Sequence, residues 1–329
     1  MDVKVVNNKS RVQVATIIRF LCWLIVMTCP FAVQAEETPW SQISDQVGEL
    51  LQEGRGEEAV KRVKHDVKNV EAKFGSEHPE LAIALSQLGR VYQALDRFDE
   101  AAPQYERALR IRKASFGTAH PAVAVSLLDL ADTYREEGRY AQAAPFYEQA
   151  LSTMEKAKGR NHQDVAVVLH NFSMLRSFQA RDADAEALIK RAIAIRENKR
   201  GSDPHSLVGS VTLLGKIYEQ SGKYAEARAS YEKAFTILEK SGSGEDYTAG
   251  MISFAIGNLE KKHRNYQEAE KFYKESIRIL EKASGPHSPA LGPVLKGYAE
   301  VLRTANKEAD AKDVEARANA LLEHYNQGR

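Results

Sequence analysis

Five histidines, His78, His120, His162, His205 and His287, stand at the starts of repeated units, and one per unit invites the idea of a metal ladder. Geometry opposes it. Equivalent residues in successive helical units lie at least a helix-packing distance apart, roughly 8–10 Å, whereas a nitrogen ligand sits about 2 Å from zinc. Nucleophilic chemistry finds no better footing: the serines are scattered, and Gly-x-Ser-x-Gly, a Gly-rich phosphate loop and His-Glu-x-x-His are all missing from the sequence. Asp129 with His170 is the one acid/base pair worth naming. No metal, no cofactor and no catalytic residue is expected.

The histidines matter instead as punctuation. His78-Pro79 and His120-Pro121 put a proline where a first helical turn loses nothing by its missing N–H, and proline drives the preceding residue out of helical geometry. His78 and His120 are therefore N-caps. Thr38-Pro39 plays the same part for the first helix.

These pairs belong to an internal repeat. The glycines before them, Gly75, Gly117, Gly159, Gly201, Gly244 and Gly285, are spaced 42, 42, 42, 43 and 41 residues apart. A second ruler keeps the same frame: FDEAAPQYERAL from Phe98, YAQAAPFYEQAL from Tyr140, YAEARASYEKAF from Tyr224 and YQEAEKFYKESI from Tyr266. A fixed period between 20 and 50 residues signals a solenoid, each unit burying its face against its neighbours. Each unit reads as two helices: Leu81, Leu85, Leu88, Tyr92 and Leu95 follow helical spacing, as do Ala101, Tyr105, Ala108 and Leu109. The turn between them centres on Gly54, Asp96, Gly138, Ala180, Gly222, Arg264 and Asn306, mostly residues that tolerate a left-handed helix end. Ala180 and Arg264 do not, so irregular turns are expected there.

Small residues at Gly89, Ala131 and Gly215, and at Ala101, Ala143 and Ala227, let paired helices approach, while Tyr92, Tyr134 and Tyr218 fill the space beside them. With Leu88-Gly89, Tyr92, Ala101, Tyr105 and Ala108 at its spacing, the chain resembles the tetratricopeptide repeat family. The 42-residue period, the His-Pro starts and the runs around Pro103 and Pro145 resemble its kinesin-light-chain subtype. The resemblance implies an all-α fold, a right-handed α-solenoid of about seven antiparallel helix pairs, over 38–74, 79–116, 121–158, 163–200, 205–241, 247–283 and 288–325. The fourth pair, with Ser173 and Arg176 at the small-residue and tyrosine positions, is expected to pack differently.

The resemblance also implies a concave surface lined by the first helix of each pair. The position before the central leucine gives Gln87, Asp129 and Asn171 (with His170 beside it), then Leu213, Ala255 and Gly297. In the kinesin-light-chain group, asparagines here hold the backbone of an extended peptide. Asn171 matches by identity, Gln87 is a near match, and Asp129 can accept but not donate. Three residues on come Arg90, Asp132, Met174, Lys216 and Asn258, with Arg135 and Lys261 a turn beyond. Gln87, Arg90, Asp129, Asp132, Arg135, His170, Asn171, Lys216, Asn258 and Lys261 are thus the expected peptide contacts.

Composition agrees with a binding module. The 329 residues are 43% hydrophobic, enough for a core, and 46 Lys and Arg nearly balance 45 Asp and Glu, so no basic field favours nucleic acid. Lys4, Lys9, Arg11 and Arg19 precede the apolar run FLCWLIVM, and Val33-Gln34-Ala35 offers a cleavage site, the pattern of a signal peptide over residues 1–35. The apolar stretch is shorter than the ~20 residues that span a bilayer; an uncleaved anchor is the alternative. Cys22 and Cys29 both fall within it, so the mature part, residues 36–329, has no thiol chemistry. The expectation is an exported, non-enzymatic scaffold for a protein or peptide partner, with no nucleic acid and no membrane insertion of the mature chain. Self-association in an envelope assembly is the rival, and an accessory subunit of a hydrolase a remoter one.

Overall fold

The computed structural model describes residues 39–198 and 203–327; the leader and Gly201 lie outside them. Among the described residues there are fourteen helices and no strand. They pair as α1 (Pro39–Gln52) with α2 (Gly56–Phe74), α3 (Pro79–Ala94) with α4 (Phe98–Phe116), and α5 (Pro121–Glu136) with α6 (Tyr140–Lys158). Then follow α7 (Gln163–Phe178) with α8 (Asp182–Glu197), α9 (Pro204–Gln220) with α10 (Tyr224–Ser241), α11 (Tyr247–Lys262) with α12 (Tyr266–Ser284), and α13 (Leu291–Thr304) with α14 (Glu308–Gln327). The fold is all-α, a solenoid-type repeat of antiparallel helix pairs. It divides into two compact units, one up to Ala157 and one from Lys158.

Every hairpin turn closes in the same way. Gly54, Asp96, Gly138, Ala180, Gly222, Arg264 and Asn306 all have φ between 55° and 84°. The next amide reaches back five residues: Arg97 to the Tyr92 carbonyl at 2.9 Å, Arg139 to Tyr134 at 2.8 Å, Arg181 to Arg176 at 2.9 Å and Asn265 to Glu260 at 2.9 Å. This satisfies carbonyls that the helix end leaves open. Ala180 (φ 55°) and Arg264 (φ 64°) therefore make regular turns, contrary to the expectation from their side chains. The packed helices on either side fix the path of the chain, and the cost of a left-handed L-residue, about 1–2 kcal/mol, is smaller than that of abandoning the turn and its helix contacts.

The helix starts follow the histidine rule. Nδ1 of His78, His120 and His162 accepts the amide of Glu80, Ala122 and Asp164 at 3.2, 3.1 and 3.1 Å. At α9 the cap passes to Asp203, which accepts from the His205 and Ser206 amides at 3.1 and 2.9 Å, leaving His205 in the first turn. Phe74 and Phe116, among the most exposed large hydrophobics, stack on His78 and His120 with centroids 4.9 and 4.5 Å apart.

In the α3–α4, α9–α10 and α11–α12 hairpins a small residue faces a tyrosine. A Cβ at Gly89 would lie 2.7 Å from the ring of fully buried Tyr105, and one at Gly215 the same distance from Tyr231. No side chain fits there without displacing the ring. On the turn side, Tyr92 and Tyr134 each carry the guanidinium that follows the turn, Arg97 and Arg139, at 4.8 Å. The fourth pair inverts this arrangement, as expected of a departing unit: Arg176 takes the tyrosine position and covers Phe172 at 4.6 Å, and Ser173 donates to the Ala185 carbonyl at 2.8 Å. Second helices are laced by surface ion pairs 36 residues apart. Glu71 with Arg107 joins α2 to α4, and Glu197 with Lys233 and Glu281 with Arg317 do likewise in the second unit. Being exposed, each contributes at most ~1 kcal/mol.

Candidate functional site

In the first unit the polar first-helix residues divide sharply. Gln87 on α3 is half-buried with no hydrogen-bond partner among the described residues, and Arg90, one turn on, is exposed. Asp129 on α5 is only partly exposed, and its Oδ2 is sealed from solvent without a hydrogen bond. Burial pushes its carboxyl above the usual range, opposed by the charges of Arg90 and Arg112. Arg112 comes from the second helix α4; it is 8% exposed, donates through Nη1 to Ser126 Oγ on α5, and burial pulls its pKa down.

Asp132 and Arg135, expected beside Asp129 as peptide contacts, are engaged by the protein. Tyr147 donates its hydroxyl to Asp132, and Arg135 Nε donates to that hydroxyl at 3.0 Å. Arg135 is buried and also donates to Glu136 at 2.9 Å; Gln93 Nε2 donates to Glu136 at 2.6 Å, and Tyr105 donates to Gln93 Oε1 at 3.0 Å. One polar chain thus runs from α4 through α3 and α5 to α6. Burial raises the Glu136 carboxyl within it.

The second unit repeats the division. Asn258 accepts the Tyr273 hydroxyl at 2.7 Å, with the 15-residue spacing of Asp132 and Tyr147, and Lys261 pairs with Glu300 at 2.6 Å. His263, two residues after Lys261, packs on Tyr224 with ring centroids 4.1 Å apart. His170 Nδ1 lies 3.1 Å from Ser210 Oγ, which receives a bond from buried Arg196; Arg196 also donates to the Ser206 carbonyl at 2.9 Å. With Arg196 as donor, the serine's own proton is available to His170. Asn171 beside it is half-buried on α7, and Lys216 on α9 is exposed with no ion-pair partner among the described residues.

Sequence reasoning passed over Arg112, Arg196 and Glu260. The first two carry a signal: each stands 14 residues before the serine it bonds, and they lie two periods apart. Glu260 is fully buried and accepts from Tyr224, Asn265 and Arg228. Nothing in the residue types around it announces that cluster. Asp129 and His170, the acid/base pair considered above, belong to different units. Among the described residues no group of three or more His, Cys, Asp or Glu is arranged to hold a metal.

The sequence profile of the tetratricopeptide repeat matches residues 44–114, 91–156, 122–198, 208–282 and 247–324. The chain belongs to the tetratricopeptide repeat family. Among solved structures, BtubC (BKLC) from P. vanneervenii is 26% identical with a TM-score of 0.55, over 61% of this chain and 80% of that one. A putative kinesin light chain of Podosopora anserina with nearly identical repeats is 24% identical, TM-score 0.51, over 63% and 99%. The apo form of RapI shares the fold at 12% identity, TM-score 0.61, over 88% and 100%. The chain thus shares its repeat fold with kinesin-light-chain-like structures. No curated protein matches the chain. Tetratricopeptide proteins are generally non-catalytic scaffolds for protein partners, and no described helix here is long and apolar enough to cross a membrane.

Proposed function

We propose that the protein is an exported, non-catalytic scaffold that holds a segment of a protein partner against the first-helix faces of its tetratricopeptide units. One observation carries this reading. Second-helix charges pair one hairpin with the next, as do Glu71 with Arg107 at 2.6 Å, Glu197 with Lys233 and Glu281 with Arg317, whereas on the first helices Gln87 and Lys216 keep unused hydrogen-bonding groups. Polar groups poised on a repeat surface with no internal partner suit an extended segment, whose backbone and side chains would complete them. Half-exposed Val125 in the first unit and Val167 and Phe254 in the second add apolar contact.

Export rests on the leader pattern over residues 1–35, and sequencing the amino terminus of the protein recovered from the envelope would test it. Binding is tested by crosslinking in the native envelope, followed by capture with an Asn171→Ala, Lys216→Ala variant. Capture should fall by about tenfold, as losing two polar contacts implies. Undiminished capture would sink the assignment of the surface.

A further inference from the structure

The second helix of the first hairpin, α2, carries a basic face that the fold leaves unused. Its acidic side chains are all held by arginines: Glu57 by Arg97 at 2.8 Å, Glu58 by Arg55 at 2.8 Å, Asp66 by Arg62 at 3.2 Å and Glu71 by Arg107 at 2.6 Å. Lys61, Lys64, His65 and Lys68 stand at i, i+3, i+4 and i+7, which puts them on one face of the helix. All four are exposed, and none has a hydrogen bond or ion pair among the described residues. The Lys64 ammonium rests 5.5 Å from the centroid of the Tyr92 ring. An open depression of about 450 Å³ lies over this face, lined by Glu57, Val60 and the four basic residues. We infer that this face docks the protein on an anionic phospholipid surface.

Like charges three and four residues apart weaken a helix, so the face is a standing cost until anions stand against it. The repeat does not require it. At the stations of Lys61 and Lys64, α4 has Pro103 and Glu106, and α6 has Pro145 and Glu148. In the second unit α12 does carry Lys271 and Lys274 there, but each pairs with a glutamate, Glu268 at 3.8 Å and Glu270 at 2.7 Å. The chain as a whole is close to neutral, 46 Lys and Arg against 45 Asp and Glu, so attraction to an anionic surface has to come from a local cluster. The floor of the depression favours lipid over an acidic peptide. Val60 there is 3% exposed, which leaves no pocket for an anchoring side chain. Ammonium groups on flexible stems act as point charges that reach phosphates in any arrangement, and a fluid headgroup layer presents them so. Of the second helices, α2 is also the nearest in sequence to the leader pattern of residues 1–35, the segment that meets the membrane whether or not it is then cleaved. The contact is peripheral, since no described helix is long and apolar enough to cross a bilayer.

Co-sedimentation of the protein recovered from the envelope with lipid vesicles tests this. Vesicles of equal parts phosphatidylglycerol and phosphatidylcholine should bind it, vesicles of phosphatidylcholine alone should bind it far less, and added salt should weaken the difference. A triple variant, Lys61→Gln, Lys64→Gln, Lys68→Gln, should lose affinity for the anionic vesicles on the order of a hundredfold. A second triple variant of the same net charge, Lys156→Gln, Lys240→Gln, Lys312→Gln, alters exposed lysines away from the face and should stay within about twofold of the unaltered protein. Thermal melts show that both variants fold. Equal binding to the two kinds of vesicle, equal loss in the two variants, or no binding to either vesicle overturns the inference. So does binding to polyglutamate but not to anionic vesicles that the first variant loses, which would assign the face to an acidic protein segment. None of these results bears on capture through Asn171 and Lys216, which lie in the other unit and are read by their own variant.

Discussion

Phe116 lies on the imidazole of His120, the rings 4.5 Å apart and 24° from parallel, while Nδ1 of the same imidazole accepts the Ala122 amide at 3.1 Å. The last residue of one helix thereby steadies the cap of the next. His120→Ala should cost about 1 kcal/mol, the usual worth of an N-cap, and His120→Asn should restore most of it. Phe116→Ala should cost less than His120→Ala, since the capping bond itself survives. Urea denaturation of the three variants checks the order.

At the turn between α7 and α8, Ala180 holds φ at 55°, a conformation that costs an L-residue about 1 kcal/mol and glycine nothing. Ala180→Gly should therefore raise stability despite the greater freedom of glycine in the unfolded chain. A thermal melt reads the gain, and a lower melting temperature would contradict the strain.

Two glycines should respond oppositely to alanine. Gly89→Ala drives a methyl to 2.7 Å from the Tyr105 ring and should destabilise by about 1–3 kcal/mol. Gly209, inside α9 with nothing within 4 Å of an added Cβ, should gain up to about 1 kcal/mol as alanine through helix propensity. Paired denaturation curves decide both.

Acid should act on the two units with opposite signs. Glu186 accepts from Lys190 and Lys223, and these bonds lower its pKa to about 2. Its contribution is complete above the ordinary value of 4.5 and disappears as pH falls from there toward 2, so Glu186→Gln should flatten that part of the stability curve. For Asp129 burial raises the folded pKa, so its contribution is complete below the unfolded value and is lost as pH rises through the folded one. Asp129→Asn should then be the more stable protein at neutral pH, with the difference shrinking on acidification. Unfolding free energies between pH 7 and pH 3 test both signs.

The sequence alone determined the period, the helix hairpins, the turn positions and the histidine caps, because each depends on residues within a few positions of one another. His120 before Pro121 caps a helix whatever lies beyond it, and Tyr105 at helical spacing from Ala101 and Ala108 marks a core face. Only the tertiary structure decided which polar residues on the first helices remain available. Asp129 and Asp132 are one turn apart and look alike as letters, yet Tyr147 from the paired helix bonds Asp132 and nothing bonds Asp129 Oδ2. Asn258, similarly, is taken by Tyr273. The difference arises because a partner 12 to 43 residues away is delivered by helix packing, and a shift of one side chain across that packing turns a bonded carboxylate into an open one.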